Sequence, residues 1–240
     1  MSGTGFAARV EQWVFGRRKL LLVIFLLATV VLFGFATQTK IDAGFEKQLP
    51  QGHPYIETFT KYQAEFGGAN RVMIALMARE GDIFTPEYFT TLEAVTQEMY
   101  GMPGVDQSSV TSLFTPNVRF TEVVEDGFTG GNVVPSDFTP TPAGLAKVRE
   151  NALKSNYMGR LVTDSFNGAM VMANLLDIDS ATGERLDTFA LAKRLEALRV
   201  KHESNAVSVH IIGFAKVMGD VRDGALNVVF FFGVTVVVTS

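Results

Sequence analysis

Two long apolar runs constrain this chain more than any other feature of its sequence. The first is LLLVIFLLATVVLFGFA, residues 20–36, and the second covers residues 225–238. Neither run contains a charged side chain, and the second has only Asn227 and Thr235 as polar residues. The chain is 47% hydrophobic, with a mean hydropathy of +0.20, and these two runs hold much of the excess. Any fold must therefore find a place for both runs away from water.

The first apolar run predicts a transmembrane helix over residues 20–36. Its length is close to the lower limit for crossing a bilayer, where roughly 20 apolar residues are usual. The basic stretch Arg17–Lys19 lies directly before it, and the positive-inside rule keeps such a flank in the cytoplasm. Two alternatives stay open. One is a cleaved signal peptide, since Gly34–Ala36 has the small-x-small pattern of a cleavage site, and the other is a helix buried in a folded core.

The second apolar run predicts the start of another transmembrane helix, which the end of the sequence at Ser240 truncates. Charge and hydropathy then divide the chain into four parts. We expect a cytoplasmic segment over residues 1–19, transmembrane helix 1 over 20–36, a periplasmic domain over 37–219 and a truncated transmembrane helix 2 over 220–240. This arrangement predicts a multi-pass protein of the bacterial inner membrane whose N-terminus is cytoplasmic.

The composition of the middle of the chain excludes several classes of function. Residues 37–219 carry 22 acidic against 16 basic side chains, and the whole chain has a net charge of -4. Without a basic stripe there is no electrostatic footprint for a nucleic-acid partner. The chain has no cysteine, which excludes disulfides and thiolate metal sites. We therefore expect a domain that depends on its own hydrophobic core.

Apolar periodicity in the middle of the chain predicts an α+β domain. Helical spacing predicts helices, and short apolar runs bounded by turn residues predict strands. The predicted helices are 54–66, 85–99, 142–156 and 184–202, and the predicted strands are 71–78, 105–113, 168–178 and 207–213. Residues 118–124 and 133–134 either pair as a hairpin or lie in a long loop. The order β-α-β, insert, β-α-β favours a split β-α-β, ferredoxin-like fold.

Several short stretches, taken in order, resemble the first half of a resistance–nodulation–division (RND) transporter. The similarity is to the large lipid exporters of the hopanoid and mycobacterial membrane protein (MMPL) type. The stretches are Leu49-Pro50-x-x-His53-Pro54, Phe66–Val72, Met102–Val105 before Val110-x-Ser112-Leu113, Leu161-Val162 and Asp164 before Gly168–Val171, and Ile212–Ala215 running into Asp223 and the second apolar run. Each stretch is weak alone, and their order carries the resemblance over nearly the whole chain.

The resemblance implies the N-terminal part of a transporter that uses the proton-motive force to export lipids or other hydrophobic compounds. In that family each half has one helix, an exported porter domain and five more helices. The implied partners are the lipid bilayer, a hydrophobic substrate, the remainder of the same transporter chain and further copies in a homo-oligomer. No enzyme activity and no cofactor are expected. Family members place proton-relay residues in later helices, and neither apolar run here contains an ionisable side chain, so none is assigned.

Two alternatives of other classes stay open beside the transporter. The first is a two-helix membrane sensor with an extracytoplasmic α+β ligand-binding domain, which requires a signalling domain beyond Ser240. The second is an exported protein with a cleaved signal peptide, which the second apolar run disfavours. A hydrolase is disfavoured because no serine lies in a G-x-S-x-G motif.

The least regular segment of the middle domain supplies the candidate substrate-path residues. Binding residues are concentrated in irregular segments, and phenylalanine suits contact with apolar molecules. The predicted lining set is Phe114, Phe120, Phe128 and Phe138, with packing in the core as the alternative. Methionines are also frequent in this domain and suit adaptable apolar surfaces. They are Met73, Met77, Met99, Met102, Met158, Met170 and Met172.

Three charged residues directly before the second apolar run form the second candidate set. Asp220, Arg222 and Asp223 mark the passage from the middle domain to the membrane. We expect either a hinge that transmits helix motion to the porter domain or plain interfacial anchoring.

No metal or catalytic site is expected from the remaining residues. Asp177-x-Asp179 suggests a calcium loop, but Ala181 and Thr182 stand where that pattern needs a ligand and a glycine. A helix cap supplied by Asp179, Ser180 or Thr182 is the better interpretation. The three histidines, His53, His202 and His210, are far apart in sequence, without the spacing of metal ligands.

Overall fold

The computed structural model describes residues 5, 13–37, 50, 52–66, 70–125, 127–176, 178, 183 and 186–239. The chain divides into two compact units, residues 1–42 and residues 43–240. The first unit contains helix α1 (Arg18–Thr37). The second contains, in order, α2 (Pro54–Phe66), β1 (Arg71–Ala78), α3 (Pro86–Tyr100), β2 (Arg119–Val124), β3 (Gly127–Asn132), α4 (Pro142–Lys154), β4 (Gly168–Asn174), α5 (Thr188–His202), β5 (Val207–Gly213) and α6 (Phe214–Thr239).

The transmembrane helices are the main correction to the sequence analysis. Among the residues that the structure describes, no helix is long and apolar enough to cross a membrane. The predicted transmembrane helix over 20–36 and the second one starting in 220–240 are therefore wrong. At 1.5 Å per residue, the uncharged part of α1, residues 20–37, is about 27 Å long, whereas the hydrocarbon core is about 30 Å thick.

A three-stranded antiparallel sheet is the centre of the second unit. Its strand order is β4-β1-β5, so β1 pairs with a neighbour on each edge. In the register, Ile74 lies opposite Val171 on one side and Ile211 on the other. Because both neighbours run antiparallel to β1, β4 and β5 run parallel to each other. They are connected through α5, with β1 inserted between them, which is a split β-α-β arrangement.

The predicted strand over 105–113 is wrong, and the described residues form a central sheet of three strands, not the four of a ferredoxin-like sheet. This segment pairs with the outer edge of β4 at isolated bridges, Val105 with Leu175 and Thr111 with Met172, and not as a continuous strand. Between the bridges, residues 107–109 form a 3₁₀ turn, because the Asp106 carboxylate accepts hydrogen bonds from the Ser108 backbone N–H and hydroxyl. Such local side-chain bonds compete with strand pairing.

The helices begin where short polar side chains satisfy their free N–H groups. The Thr85 hydroxyl accepts a hydrogen bond from Tyr88 N at the start of α3, and Pro86 follows at the first turn. The helix predicted from residue 184 begins at Thr188, because the Asp187 carboxylate accepts hydrogen bonds from Phe189 N and Ala190 N. The caps predicted at Asp179, Ser180 or Thr182 lie outside the described residues.

The core lies between one face of the sheet and the helices packed on it. Alternate residues of β1, namely Val72, Ile74 and Leu76, are fully buried, which is the period of two expected of a strand with one buried face. The Tyr88 hydroxyl is buried between two strands, donating to the carbonyl of Leu76 and accepting from the N–H of Ala169, both at 2.7 Å. Burial raises the pKa of Tyr88 well above its ordinary value.

The insert between α3 and α4 contains the hairpin β2–β3. The sequence analysis left open whether residues 118–124 pair with 133–134; the strand opposite β2 is instead 127–132, with Val124 opposite Gly127. Val133 N still donates to Val118 O, so the pairing continues one step past the hairpin. Gly130 is required, because a Cβ atom there would lie 2.5 Å from the carbonyl oxygen of Phe120.

Candidate functional site

The passage from β5 to α6 has no loop. Gly213 is the last residue of β5 and Phe214 is the first residue of α6. Gly213 has φ +155°, and a Cβ atom there would lie 2.7 Å from the carbonyl oxygen of Arg71 in β1. A side chain at this position would therefore collide with the sheet. The stretch Ile212–Ala215, noted above for its resemblance, is thus the junction between sheet and helix, and its Ala215 is fully buried.

The first half of α6 packs closely against α5. A Cβ atom added at Gly219 would lie 2.4 Å from the Cβ of Ala192, so the two helix backbones approach where both residues are small. Beside this contact, a groove runs between the two helices. It is lined by Phe189, Ala192, Lys193, Glu196, Lys216, Gly219, Asp220, Arg222 and Asp223.

An ion network links the two helices along this groove. The Lys216 ammonium contacts the Glu196 carboxylate at 3.2 Å and the Asp220 carboxylate at 2.5 Å. Glu196 also pairs with Arg199, at 2.6 Å. Hydrogen bonds from Arg199, opposed by partial burial and helped by Lys216, lower the pKa of Glu196 to about 2. The Asp220 hydrogen bond is the largest cause that raises the pKa of Lys216.

All three predicted hinge residues line this one groove. Asp220 is held by Lys216, and the Arg222 guanidinium lies 4.4 Å from the centre of the Phe189 ring. Asp223 is exposed. The structure thus brings the three together with side chains of α5, while a role in transmitting motion stays a prediction. Sequence reasoning missed Phe189 and Glu196, because they lie on a different helix that only the fold places alongside.

The second half of α6 has a different environment from the first. Its large apolar side chains are exposed, each by at least 44%. They are Leu226, Val228, Val229, Phe230, Phe231, Phe232, Val234, Val236 and Val238. Five of them are consecutive, and at 100° per residue five consecutive positions surround the helix. This half therefore has no polar face along that stretch.

The four predicted substrate-path phenylalanines do not form one lining. Phe114 and Phe138 are partly buried against the core and contact each other, with ring centres 5.9 Å apart. Both rings also contact Phe89 of α3, at 5.9 and 5.5 Å. Phe120 and Phe128 lie instead on the hairpin. Phe120 is half-buried, whereas Phe128 is 81% exposed opposite Val123, which is 76% exposed.

Four of the predicted methionines share the outer face of the sheet. Met73 and Met77 alternate with the buried residues of β1, and Met170 and Met172 do so in β4. The register places Met73 directly opposite Met172 and, on its other side, Ile212 of β5. All four methionines are half-buried, and Ile212 is exposed. We call this row the methionine face. Its flexible, polarisable side chains can adapt to apolar molecules of varied shape.

The histidines and acidic residues are dispersed. His53 Nδ1 accepts from Tyr55 N, His202 pairs with Glu98 at 2.9 Å, and His210 lies exposed on β5. Within the described part of the chain, no group of three His, Asp or Glu side chains is placed to hold a metal ion. The stretch Asp177-x-Asp179 lies outside the described residues.

Comparison with known proteins gives one partial match. Over 63 residues the chain is 38% identical to a protein of Methanocaldococcus jannaschii named "Putative membrane protein MJ1562". The match covers 26% of this chain and 16% of that protein, so it spans only a small part of the relative's length. No protein-family model matches the chain. The similarity is thus to a protein with that name, over about a quarter of the chain, and it assigns no family.

Proposed function

We propose that this chain is a membrane-associated part of an RND-type transporter that moves lipids or other hydrophobic compounds. The observation that carries the proposal is the second half of α6. A helix that is apolar on all sides must be covered by protein or by lipid, and the relative reported above is named "Putative membrane protein MJ1562". The apolar side chains of α1, such as Phe25 and Leu22, are likewise exposed.

Lipid is a better cover for this half of α6 than a protein partner. A docked protein covers one side of a helix and leaves the opposite side in water. Residues 228–232 are apolar around the whole circumference, so contact with one partner would leave several large side chains wet. Each large side chain moved from water to an apolar medium contributes about 1.5–3 kcal/mol.

The transporter class comes from the ordered stretches that resemble RND lipid exporters, and two of them coincide with special backbone positions. Gly104, in Met102–Val105, has φ +87°, and a Cβ atom there would collide with Leu186. Gly213, in Ile212–Ala215, fixes the sheet–helix junction. The methionine face supports a hydrophobic cargo, because it is a half-exposed apolar surface on a rigid sheet. The proton drive is proposed on the resemblance alone.

Lipid contact can be tested residue by residue, because the chain has no native cysteine. Phe231→Cys in the full chain is labelled with an environment-sensitive fluorophore, and vesicles containing spin-labelled lipid are added. We expect a blue shift and strong quenching by the lipid. The matched control is Phe128→Cys, on the hairpin, where the same side chain is even more exposed and neither change is expected. Equal responses at both sites, or none at Phe231→Cys, would overturn lipid contact by α6.

Transport needs a separate readout. Cells expressing the whole transporter of which this chain is the proposed part, with labelled lipid supplied from inside, should export the label, and a protonophore should stop the export. Substitution of the methionine face, Met73→Ser with Met172→Ser, should reduce export, while Leu153→Ser with Val200→Ser, at exposed apolar positions of α4 and α5, should not. Lipid contact without any protonophore-sensitive export would leave the membrane association standing and refute the transporter class.

A further inference from the structure

The groove between α5 and α6 contains charged side chains that form no ion pair with any residue that the structure describes. Lys216, Glu196 and Asp220 neutralise one another across the groove. Lys193, Arg222 and Asp223 line the same groove. Among the residues that the structure describes, none of these three has an ion pair. The groove therefore offers two cations and one carboxylate to a ligand.

Arg222 is oriented before any ligand binds. Its guanidinium carbon lies over the Phe189 ring, 4.4 Å from the ring centre, and this cation–π contact restricts a side chain that would otherwise sample many rotamers. In the described part of the chain, no acceptor is paired with the five N–H donors of this guanidinium. A planar fork of this kind matches the oxygens of a phosphate group. Lys193, one turn after Phe189 on α5, adds a second positive charge at the same groove.

The position of the groove restricts the source of such a phosphate. Asp223 is its last lining residue, and the apolar run begins two residues later at Ala225. A molecule whose phosphate binds in the groove therefore has the apolar half of α6 directly beside it. Phospholipids have this order, with a phosphate next to long hydrocarbon chains. Free phosphate has no apolar part that could contact the adjacent apolar surface.

We propose that the α5–α6 groove binds the headgroup of a zwitterionic phospholipid. Arg222 and Lys193 bind the phosphate, and Asp223 binds the headgroup ammonium. The inference rests on the proposed lipid contact of α6. It adds a defined site with a defined chemistry, since both signs of charge in the headgroup meet their opposite in the groove.

The test measures binding of single lipids to the full chain in detergent, for example by native mass spectrometry. The probes are phosphatidylethanolamine, phosphatidylglycerol and diacylglycerol, which has no phosphate. We expect the affinities to fall in that order. Arg222→Gln and Lys193→Gln should each weaken both phospholipids by about tenfold, the effect typical of losing a charge-assisted hydrogen bond. Asp223→Asn should weaken phosphatidylethanolamine only.

Arg194→Gln is the matched control. It makes the same change of charge on the same helix, at the residue next to Lys193, but outside the groove lining, and it should leave all three affinities unchanged. Equal affinity for diacylglycerol and the phospholipids would overturn the site, and so would equal loss in Arg194→Gln and Arg222→Gln. Full displacement of the lipid by inorganic phosphate would overturn a lipid source, because the apolar contact would then contribute nothing.

The outcome separates the two proposals. The Phe231→Cys label reports contact of α6 with hydrocarbon, whatever the headgroup. Lipid quenching of that label without any headgroup preference would refute the groove and leave the proposed function intact. A headgroup preference without quenching would refute membrane contact by α6 and leave a phospholipid site on the folded domain.

Discussion

The aromatic cluster around Phe89 and the second half of α6 are both rich in phenylalanine, but they have opposite environments. In the cluster, Phe89 is fully buried, with Phe114 and Phe138 packed on it. In α6, the consecutive rings Phe230, Phe231 and Phe232 are each about two-thirds exposed. The difference shows that apolar composition indicates only that a cover is needed. The fold decides whether that cover is the protein itself or its surroundings.

The largest expected effect is on folding stability and concerns the buried aromatic cluster around Phe89. Phe89→Ala should lower the free energy of unfolding by about 3–5 kcal/mol, because a large buried ring is replaced by a cavity. Phe128→Ala, at the exposed tip of the hairpin, should change it by less than about 0.5 kcal/mol. Urea unfolding of the full chain in mild detergent, followed by circular dichroism, measures both. Similar losses of unfolding free energy in the two variants would contradict the difference between the buried Phe89 and the exposed Phe128.

The second effect concerns the exposed second half of α6, and it is on lipid binding rather than on folding. Phe231→Ser should weaken partition of the full chain into vesicles by at least about tenfold, because roughly 1.5–3 kcal/mol of apolar transfer is lost. The unfolding midpoint of the rest of the domain should stay unchanged. Vesicle flotation over a lipid titration gives the partition coefficient. A lower unfolding midpoint with unchanged flotation would instead indicate that this ring packs on protein.

The third effect concerns a buried polar group of the folded core, the hydroxyl of Tyr88. Tyr88→Phe keeps the ring but removes a hydroxyl that bonds both Leu76 O and Ala169 N–H. Leaving these buried backbone groups without a partner should cost about 1–3 kcal/mol. Hydrogen–deuterium exchange should then accelerate most at the Ala169 amide. Uniform acceleration along β4 would point to a general loss of packing rather than to these two bonds.

The smallest effect depends on pH and concerns Glu196, whose ion network links α5 to the first half of α6. The pKa of Glu196 is about 2 in the folded state, against 4.5 for an unperturbed group. Because the folded pKa is the lower one, the stabilisation is complete above about pH 4.5 and disappears as the pH falls towards 2. The side chain is 39% exposed, so solvent screening keeps the effect below about 1 kcal/mol. Other carboxylates titrate in the same range, so the quantity to follow is the difference between wild type and Glu196→Gln.

That difference in unfolding free energy should be constant from pH 7 to 5 and shrink towards zero near pH 2. Glu150→Gln is the control on α4, where the pKa is also lowered to about 2, chiefly by hydrogen bonding to Lys154. Only the Glu196 variant should alter hydrogen exchange along the first half of α6. A pH-independent difference would mean that the Glu196 network contributes through packing alone.

Local patterns predicted several elements well. Strand β1 was predicted as 71–78 and lies at Arg71–Ala78, because a short apolar run is bounded there by turn residues on both sides. Helix α3 was predicted from the Thr85-Pro86 start, which the Thr85 cap explains. The strand over 105–113 failed, because one aspartate at position 106 formed local hydrogen bonds that periodicity does not detect.

The candidate site was only half predictable, for a physical reason. Asp220, Arg222 and Asp223 are conspicuous because they adjoin an apolar run. Their partners Phe189 and Glu196 lie on another helix, and only the contact of Gly219 with Ala192 brings them alongside. The phenylalanines show the same limit. No local signal separates Phe138, which reaches the core, from Phe128, which a two-stranded hairpin holds out in solvent.

The direct junction of Gly213 and Phe214 also determines how the domain would respond to mechanical load. A force applied along α6 is transmitted directly to β5, because the strand passes into the helix without an intervening loop. The load would therefore act in shear on the ladder between β5 and β1, where residues 207–213 pair with residues 72–78. All the hydrogen bonds of a ladder share a shear load together, so this strand resists pulling more strongly than one that can be peeled off bond by bond.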